Sequence, residues 1–262
     1  MILDRFRLDD KVAIVTGAGR GIGAGIAKAF AEVGADVVCA ARTQEQIDAT
    51  AAEVRGFGRK GIAVACDVNE RSDIERVVDT AMKELGRIDI IVNNAGGTAP
   101  SEALYTSEQA FEEAFHFNVT TAFVLTRLSV PHMLKTGGGA VLNISSSAGR
   151  FPIPGFVAYA TSKAALSFMS RVLGHEFAPK VRVNAIAVGA VETSALAPFL
   201  DDDLRGKMSA LTPMRRIGTV EDIALAAVYL ASPAASWVTG KVFEIDGGSE
   251  TSNWPFPGPS LG

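Results

Sequence analysis

The chain has 262 residues, 48% of them hydrophobic, with 25 Lys plus Arg against 29 Asp plus Glu and a formal net charge of −4. That length and apolar content fill the core of one large α/β domain and exclude disorder, a disulfide miniprotein and a fibrous chain. A mild acid excess without a clustered basic face excludes nucleic acid as the expected partner.

The first ten residues carry Asp4, Arg5, Arg7, Asp9 and Asp10. Neither there nor elsewhere is there an uninterrupted apolar run of about 18 residues, so the expectation is a cytoplasmic protein with no membrane segment. Seven short β-type runs then follow, at 12–15, 36–39, 62–65, 88–92, 140–144, 181–186 and 241–245. Most are nearly continuous in apolar residues, as strands covered on both faces are. Between them Ile22, Ile26, Ala29, Phe30 and Val33 keep helical spacing, and so do Ile74, Val77, Val78, Ala81 and Leu85. Longer helices are predicted over about 107–135 and 157–177, and a shorter one over about 220–231. The β-α alternation predicts a Rossmann-type, doubly wound parallel sheet of seven strands with helices on both faces. Cys39 and Cys66 each lie beside a strand run and read as small core residues, and no metal site is expected.

Residues 1–250 are read as a single catalytic domain. Within it, 192–211 interrupts the alternation with Asp201-Asp202-Asp203 and several alanines, and reads as a helical flap or as a solvated excursion. The tail, 251–262, is proline-rich and cannot be a helix interior or a central strand. It is either frayed or docked through Trp254 and Phe256.

Immediately after the first strand run comes Thr16-Gly-Ala-Gly-Arg-Gly-Ile-Gly23, leading into a helix. Glycines there let the backbone turn sharply and approach a pyrophosphate, whose charge sits on free N–H groups at the helix start. A tight turn alone would use the same residues. Tyr159 and Lys163 are four apart in a helical stretch and so share a face, where an adjacent ammonium favours the phenolate. Ser146, the middle of Ser145-Ser146-Ser147, comes directly after the fifth strand run; strand ends in an open parallel sheet border the ligand crevice. Ser145 or Ser147 is expected to serve as the turn or cap residue there.

The Thr-Gly-x-x-x-Gly-x-Gly spelling, Asn93-Asn-Ala-Gly96 after the fourth strand and Tyr159-x-x-x-Lys163 together resemble the short-chain dehydrogenase/reductase family. The resemblance covers roughly residues 8–248, including Ser232-Pro-Ala-Ala-Ser-Trp-Val-Thr-Gly240 and Ile245-Asp-Gly-Gly248. It implies an NAD(P)-dependent oxidoreductase that moves a hydride reversibly between a nicotinamide and a ketone or secondary alcohol. The catalytic set it implies is Asn118, Ser146, Tyr159 and Lys163. Tyr159 is the general acid/base, Ser146 bonds the substrate oxygen, and Asn118 holds a water linking Lys163 to solvent.

Cofactor binding is assigned by the same resemblance to Gly17, Gly19, Arg20, Gly21, Ile22 and Gly23 of the loop, and to Arg42 after the second strand. Asp67, with Val68 beside it, would take the adenine amino group or merely close a turn. Asn94, Ala95 and Gly96 are placed near the cofactor, with Asn94 tying neighbouring strands. Tyr159 and Lys163 also bind, and Gly189, Val191 and Thr193 complete the set around the carboxamide. Ala41 stands where NAD-preferring members carry Asp, and Arg20 and Arg42 are placed to meet a 2′-phosphate or are solvated charges. NADP(H) is the expected cofactor, with NAD(H) the alternative. Val188 departs from the proline usual in Pro-Gly, which loses the ring's φ restriction.

Substrate contacts are expected from 97–105, 150–156 and the flap, offering Phe151, Ile153, Phe156, Leu196, Phe199 and Leu200. An apolar ketone or alcohol is favoured. Thr212-Pro-Met-Arg-Arg-Ile-Gly218 looks similar to hydroxysteroid dehydrogenases, 3-oxoacyl-thioester reductases and sugar dehydrogenases of the family alike. A homotetramer is implied, or a dimer, through the two longest helices and the last strand. The contrasting reading is a catalytically inert nucleotide-binding regulator or scaffold on the same fold.

Overall fold

The structure, a computed structural model, describes residues 1–193, 196–197 and 200–255. Seven strands, β1 (Val12–Thr16), β2 (Asp36–Ala41), β3 (Gly61–Ala65), β4 (Ile90–Asn93), β5 (Gly139–Ser146), β6 (Val181–Val188) and β7 (Val242–Ile245), form one sheet. Their order is β3-β2-β1-β4-β5-β6-β7, and every neighbouring pair is parallel. This is the doubly wound Rossmann-type sheet expected from the sequence.

Alternation along the strands divides the core into two layers. Ala13 and Val15 of β1 face one cluster, in which α1 (Gly21–Glu32), α2 (Gln44–Gly56) and α8 (Val220–Ala231) bury Ile26, Ile47 and Ile223. Ile14 faces the other, built with α3 (Arg71–Leu85), α5 (Thr121–Lys135) and α6 (Val157–Glu176) through Val77, Leu125 and Leu173. Burial of the strands from both sides explains why their sequences run almost continuously apolar. Cys39 and Cys66 are buried, and burial pushes each thiol up to about 12.

The predicted helix over 107–135 is interrupted. It consists of α4 (Glu108–Phe115), one π-helical turn (His116–Thr120) and α5. The flap is helical only in part: α7 (Asp202–Leu211) is started by Asp201, whose carboxylate accepts from the Leu204 N–H at 2.7 Å. The aspartate run is thus a helix cap and first turn, where acids complement the helix dipole. Phe199 of the flap and Phe256 of the tail lie outside the described residues. No helix among the described residues is long and apolar enough to cross a membrane.

The strand order reverses between β1, which runs on to β2, and β4. At such a switch point the loops leaving neighbouring strands diverge to opposite faces and open a crevice at the carboxyl ends. The glycine loop leaves β1 at this point and the Asn94-Ala95-Gly96 segment leaves β4.

Candidate active site

A cleft of about 620 Å³ occupies that crevice. One end is the glycine loop. Gly17 has φ +64°, and a Cβ on it would meet the Asn94 Nδ2 at 2.6 Å; one on Gly23 would meet the Gly17 carbonyl oxygen at 2.3 Å. Helix α1 therefore packs directly on the loop that precedes it. Arg20 occupies its N-cap position without a side-chain cap bond, and the first turn holds no acid. Uncapped N–H groups and an uncompensated dipole beside an open cleft suit a pyrophosphate.

Gly17, Gly19, Arg20, Gly21 and Ile22 line the cleft, whereas Gly23 lies behind it as the packing contact just described. Ala41 and Arg42 line it beyond the end of β2, with Thr43 and Gln46 beside them. Among the described residues neither Arg20 nor Arg42 has an ion-pair or side-chain hydrogen-bond partner. Asp67 and Val68 also line it. Asp67 closes its turn as well, one carboxylate oxygen accepting from the Asn69 backbone and side chain, each at 3.0 Å.

Asn94 ties β4 to β1 as expected, its amide donating to the Thr16 carbonyl at 2.9 Å while its own N–H meets the Thr16 hydroxyl at 3.0 Å. Asn94, Ala95 and Gly96 all reach the cleft. So do Gly189, Val191 and Thr193. Val188, the departure from proline, is the last residue of β6 and is held in register between Ser146 of β5 and Ile245 of β7. Strand pairing on both sides supplies the rigidity that the missing ring does not.

At the inner end Ser146, Tyr159 and Lys163 converge on the cleft lining. Ser146 is the last residue of β5 and lines the cleft together with Tyr159, two residues into α6. The Ser146 hydroxyl oxygen accepts from the Ala148 N–H at 3.2 Å. It is therefore Ser146 itself, and neither neighbour, that caps the turn after β5. Alternation along the strand sends Ser145 the other way, into α6, where it donates to the Lys163 carbonyl at 2.9 Å and lies 2.7 Å from the Ser167 hydroxyl.

Lys163 is 4% exposed, and its ammonium donates to the Ile144 carbonyl at 2.8 Å, 5.8 Å from the centre of the Tyr159 ring. Burial pushes the Lys163 amine down to about 8. Burial likewise pushes the Tyr159 phenol up, and the opposing pull comes from Ser146. Burial thus outweighs the lowering of the tyrosine expected from Lys163, whose ammonium is engaged by a backbone carbonyl and is itself disfavoured by desolvation.

Asn118 does not line the cleft: its Oδ1 accepts from the Gly97 N–H at 2.9 Å, and its amide donates to the carbonyls of Ala114 at 2.9 Å and Gly97 at 3.2 Å. With both amide hydrogens used on backbone, this side chain holds the π-helical turn to the Gly97 loop. Gly96 lies between the two groups; a Cβ on it would fall 2.7 Å from Asn118 Oδ1 and 3.0 Å from Lys163 Nζ.

Behind the site runs a buried polar chain that sequence reading missed. Asn93 donates to Thr126 at 3.1 Å and to Asn143 at 2.7 Å, and Asn143 donates to Ser170 at 2.7 Å. It fixes α5, β4, β5 and α6 relative to one another, and with them the residues they carry. The signal available was a polar residue inside each apolar run.

On the substrate side the expected contacts divide. Leu196 lines the cleft, and Phe156 sets its ring 6.2 Å from that of Tyr159. Leu200 instead turns into a small core with Leu204, Met208 and Ile217, and Phe151 is 9% exposed beneath the Arg150 guanidinium. No cluster of three or more metal-ligating side chains occurs among the described residues.

A parallel sheet with a cleft at its switch point, ending in a Ser-Tyr-Lys set whose lysine is buried, defines the class as a Rossmann-type α/β protein. Comparison narrows this. The family model described as enoyl-(acyl carrier protein) reductase matches residues 17–250. An uncharacterized oxidoreductase of Mycobacterium tuberculosis is 51% identical over all of both chains. The 7alpha-hydroxysteroid dehydrogenase of Escherichia coli K12 is 40% identical over 94% of this chain and 96% of its own. A solved structure of 7alpha-hydroxysteroid dehydrogenase, complexed with NADH and 7-oxo glycochenodeoxycholic acid, superposes with a TM-score of 0.91 at 40% identity, covering 94% of this chain and 97% of that one. The chain belongs to the short-chain dehydrogenase/reductase family of oxidoreductases.

Proposed function

We propose that this protein is an NADP(H)-dependent oxidoreductase that interconverts a ketone and a secondary alcohol, with Tyr159 as the general acid/base. The observation that carries the reading is the convergence of Ser146, Tyr159 and Lys163 at the inner end of the cleft, with the Lys163 ammonium 5.8 Å from the centre of the Tyr159 ring. When bound, the nicotinamide supplies or accepts the hydride.

A substrate carbonyl oxygen set between the two hydroxyls accepts from both. As negative charge grows on that oxygen, Ser146 stabilises it and Tyr159 gives up its proton. A phenol raised by burial keeps its proton at neutral pH and has it to give as the oxygen gains charge. Lys163 holds positive charge within 5.8 Å of the ring as the phenolate forms. Asn118, by clasping Gly97, keeps the adjacent Gly96 backbone against Lys163.

The preference for NADP(H) rests on Arg20 and Arg42, which line the cleft without protein partners among the described residues, and on Ala41 where a carboxylate would repel a 2′-phosphate. Titration of the protein with NADPH and with NADH, followed by nicotinamide fluorescence, tests it. Tighter binding of NADPH is expected, and preference for NADH overturns the assignment of both arginines.

The reading extends to a homotetramer, with a dimer as the smaller form. Phe115 and Phe123 around α4 and α5 are each 40% exposed, Phe168 on α6 is 66% exposed, and Trp237 before β7 is 98% exposed. Apolar surface of that kind favours burial between copies. Light scattering should give a mass near four times 27.4 kDa, and a monomer at micromolar concentration contradicts it.

A further inference from the structure

A second cavity, of about 310 Å³ against about 620 Å³ for the cleft at the switch point, lies at the opposite end of the sheet, where the strands begin. Ile90, Gly139 and Arg182 line it at the starts of β4, β5 and β6, and Lys11 lines it just ahead of β1. The two sites share no lining residue. The floor is close-packed: a Cβ on Gly138 would overlap the Lys180 carbonyl oxygen, and one on Gly139 that of Asp89. The Gly139 N–H donates to the first of these carbonyls at 3.1 Å and the Ala140 N–H to the second at 2.9 Å. The turn into β5 thus fixes the backbone of Lys180 and Asp89 from inside.

The charges around this cavity do not balance. Lys11, Lys180 and Arg182 line it, against the single acid Asp89. That acid is already matched: Arg87, outside the lining, bonds its two oxygens at 2.6 and 2.8 Å, and the Val12 N–H donates to it at 3.0 Å. Lys11 stands 3.6 Å from it, too far for a hydrogen bond. Arg182 has no carboxylate at all. Its terminal nitrogens donate to the carbonyls of Leu230 at 2.7 Å, Ala231 at 3.2 Å, Ser232 at 3.3 Å and Val238 at 3.4 Å, which holds the guanidinium at the end of α8. Burial without a counter-charge pulls the group below the ordinary arginine value. Its Nε–H and the Lys180 ammonium have no partner among the described residues.

We infer that this cavity is a second ligand site, which takes the phosphate group of a small phosphate monoester. Three cations from three separate segments, against one acid that is already paired, suit a group with three acceptor oxygens and close to two negative charges. The volume leaves room for a short organic stem, flanked by Ile90, Pro179 and Pro233, and is at the small end of the range for ligand pockets. Because the cavity is separate from the cleft, the inference stands or falls apart from the carbonyl chemistry.

The test is calorimetric titration of phenyl phosphate, at about pH 8 where the monoester is a dianion, into the full-length protein saturated with NADP⁺ to occupy the glycine loop. Saturable binding of one molecule per chain is expected. Lys11→Ala and Lys180→Ala should each weaken it by about 10-fold, the loss of one charge-assisted hydrogen bond, with NADP⁺ affinity and the urea midpoint unchanged. Lys180→Glu should abolish it, and benzyl alcohol, which has a similar stem and no charge, should not compete. No saturable binding by the wild type, equal binding by the lysine variants, or competition by benzyl alcohol overturns the inference. Failure of NADP⁺ to bind contradicts the cofactor assignment instead, and the lysine comparison on the unliganded protein then decides the second site.

Discussion

The Asn118 side chain and the Gly97 backbone bond each other twice, Oδ1 accepting from the N–H at 2.9 Å and Nδ2 donating to the carbonyl at 3.2 Å. The amide also satisfies the Ala114 carbonyl, so one buried side chain closes both the interrupted helix and the loop that follows β4. Asn118→Ala leaves those backbone groups unpaired, each at a desolvation cost of about 1–3 kcal/mol. A fall in the urea midpoint together with weaker NADPH binding is expected. A variant as stable as the wild type contradicts the clasp.

Lys163 gives a pH-dependent prediction. Its amine is pushed from 10.5 down to about 8 by burial, so the folded protein binds fewer protons than the unfolded chain between those values. Stability therefore carries the full burial penalty below pH 8 and recovers as pH rises from 8 towards 10.5. Lys163→Met should be inactive yet more stable at pH 7 by about 3 kcal/mol, a gain that vanishes near pH 10.5. Denaturant titrations at pH 7 and pH 10 measure it, and an equal gain at both contradicts the assignment.

Arg42→Ala should weaken NADPH binding by about 1.5–3 kcal/mol, the worth of a hydrogen bond to a charged group, and leave NADH binding unchanged. Ala41→Asp should go further and reverse the preference, because a carboxylate there accepts from a ribose hydroxyl and repels a phosphate. Fluorescence titration of both cofactors distinguishes these outcomes from a general loss of affinity.

Helix α8 supplies a control remote from the chemistry. Thr219 and Asp222 form a reciprocal capping box, and Arg216 bonds the Asp222 carboxylate through two nitrogens at 2.7 Å each, holding its pKa below the usual carboxylate range. Thr219→Ala should cost about 1 kcal/mol by thermal or chemical denaturation with no change in cofactor affinity.

What the sequence revealed follows the range of the interactions involved. The sheet was legible because burial on both faces writes itself into runs such as Val12-Ala-Ile-Val15, and α8 because its apolar spacing and cap are local. The break at Asn118 was not, since an apolar period cannot report that one amide reaches back to Gly97. Resemblance supplied Ser146, Tyr159 and Lys163, which the structure brings together. It did not show that Ser146 caps its own turn or that Lys163 bonds Ile144, because both depend on how β5 presents its backbone to α6. The Asn93–Asn143–Ser170 chain joins three separate elements, and a polar residue inside an apolar run does not tell which partner it meets.

The central claim is proton transfer by Tyr159 in a nicotinamide-dependent carbonyl reduction. The most direct measurement is NADPH oxidation across a panel of ketones by the wild type and Tyr159→Phe, with NADPH affinity measured for both. The account predicts turnover by the wild type, a loss of about 10²–10⁴-fold in the variant, and cofactor binding retained. Turnover undiminished in Tyr159→Phe, or NADPH binding with no reduction of any ketone by the wild type, would contradict it.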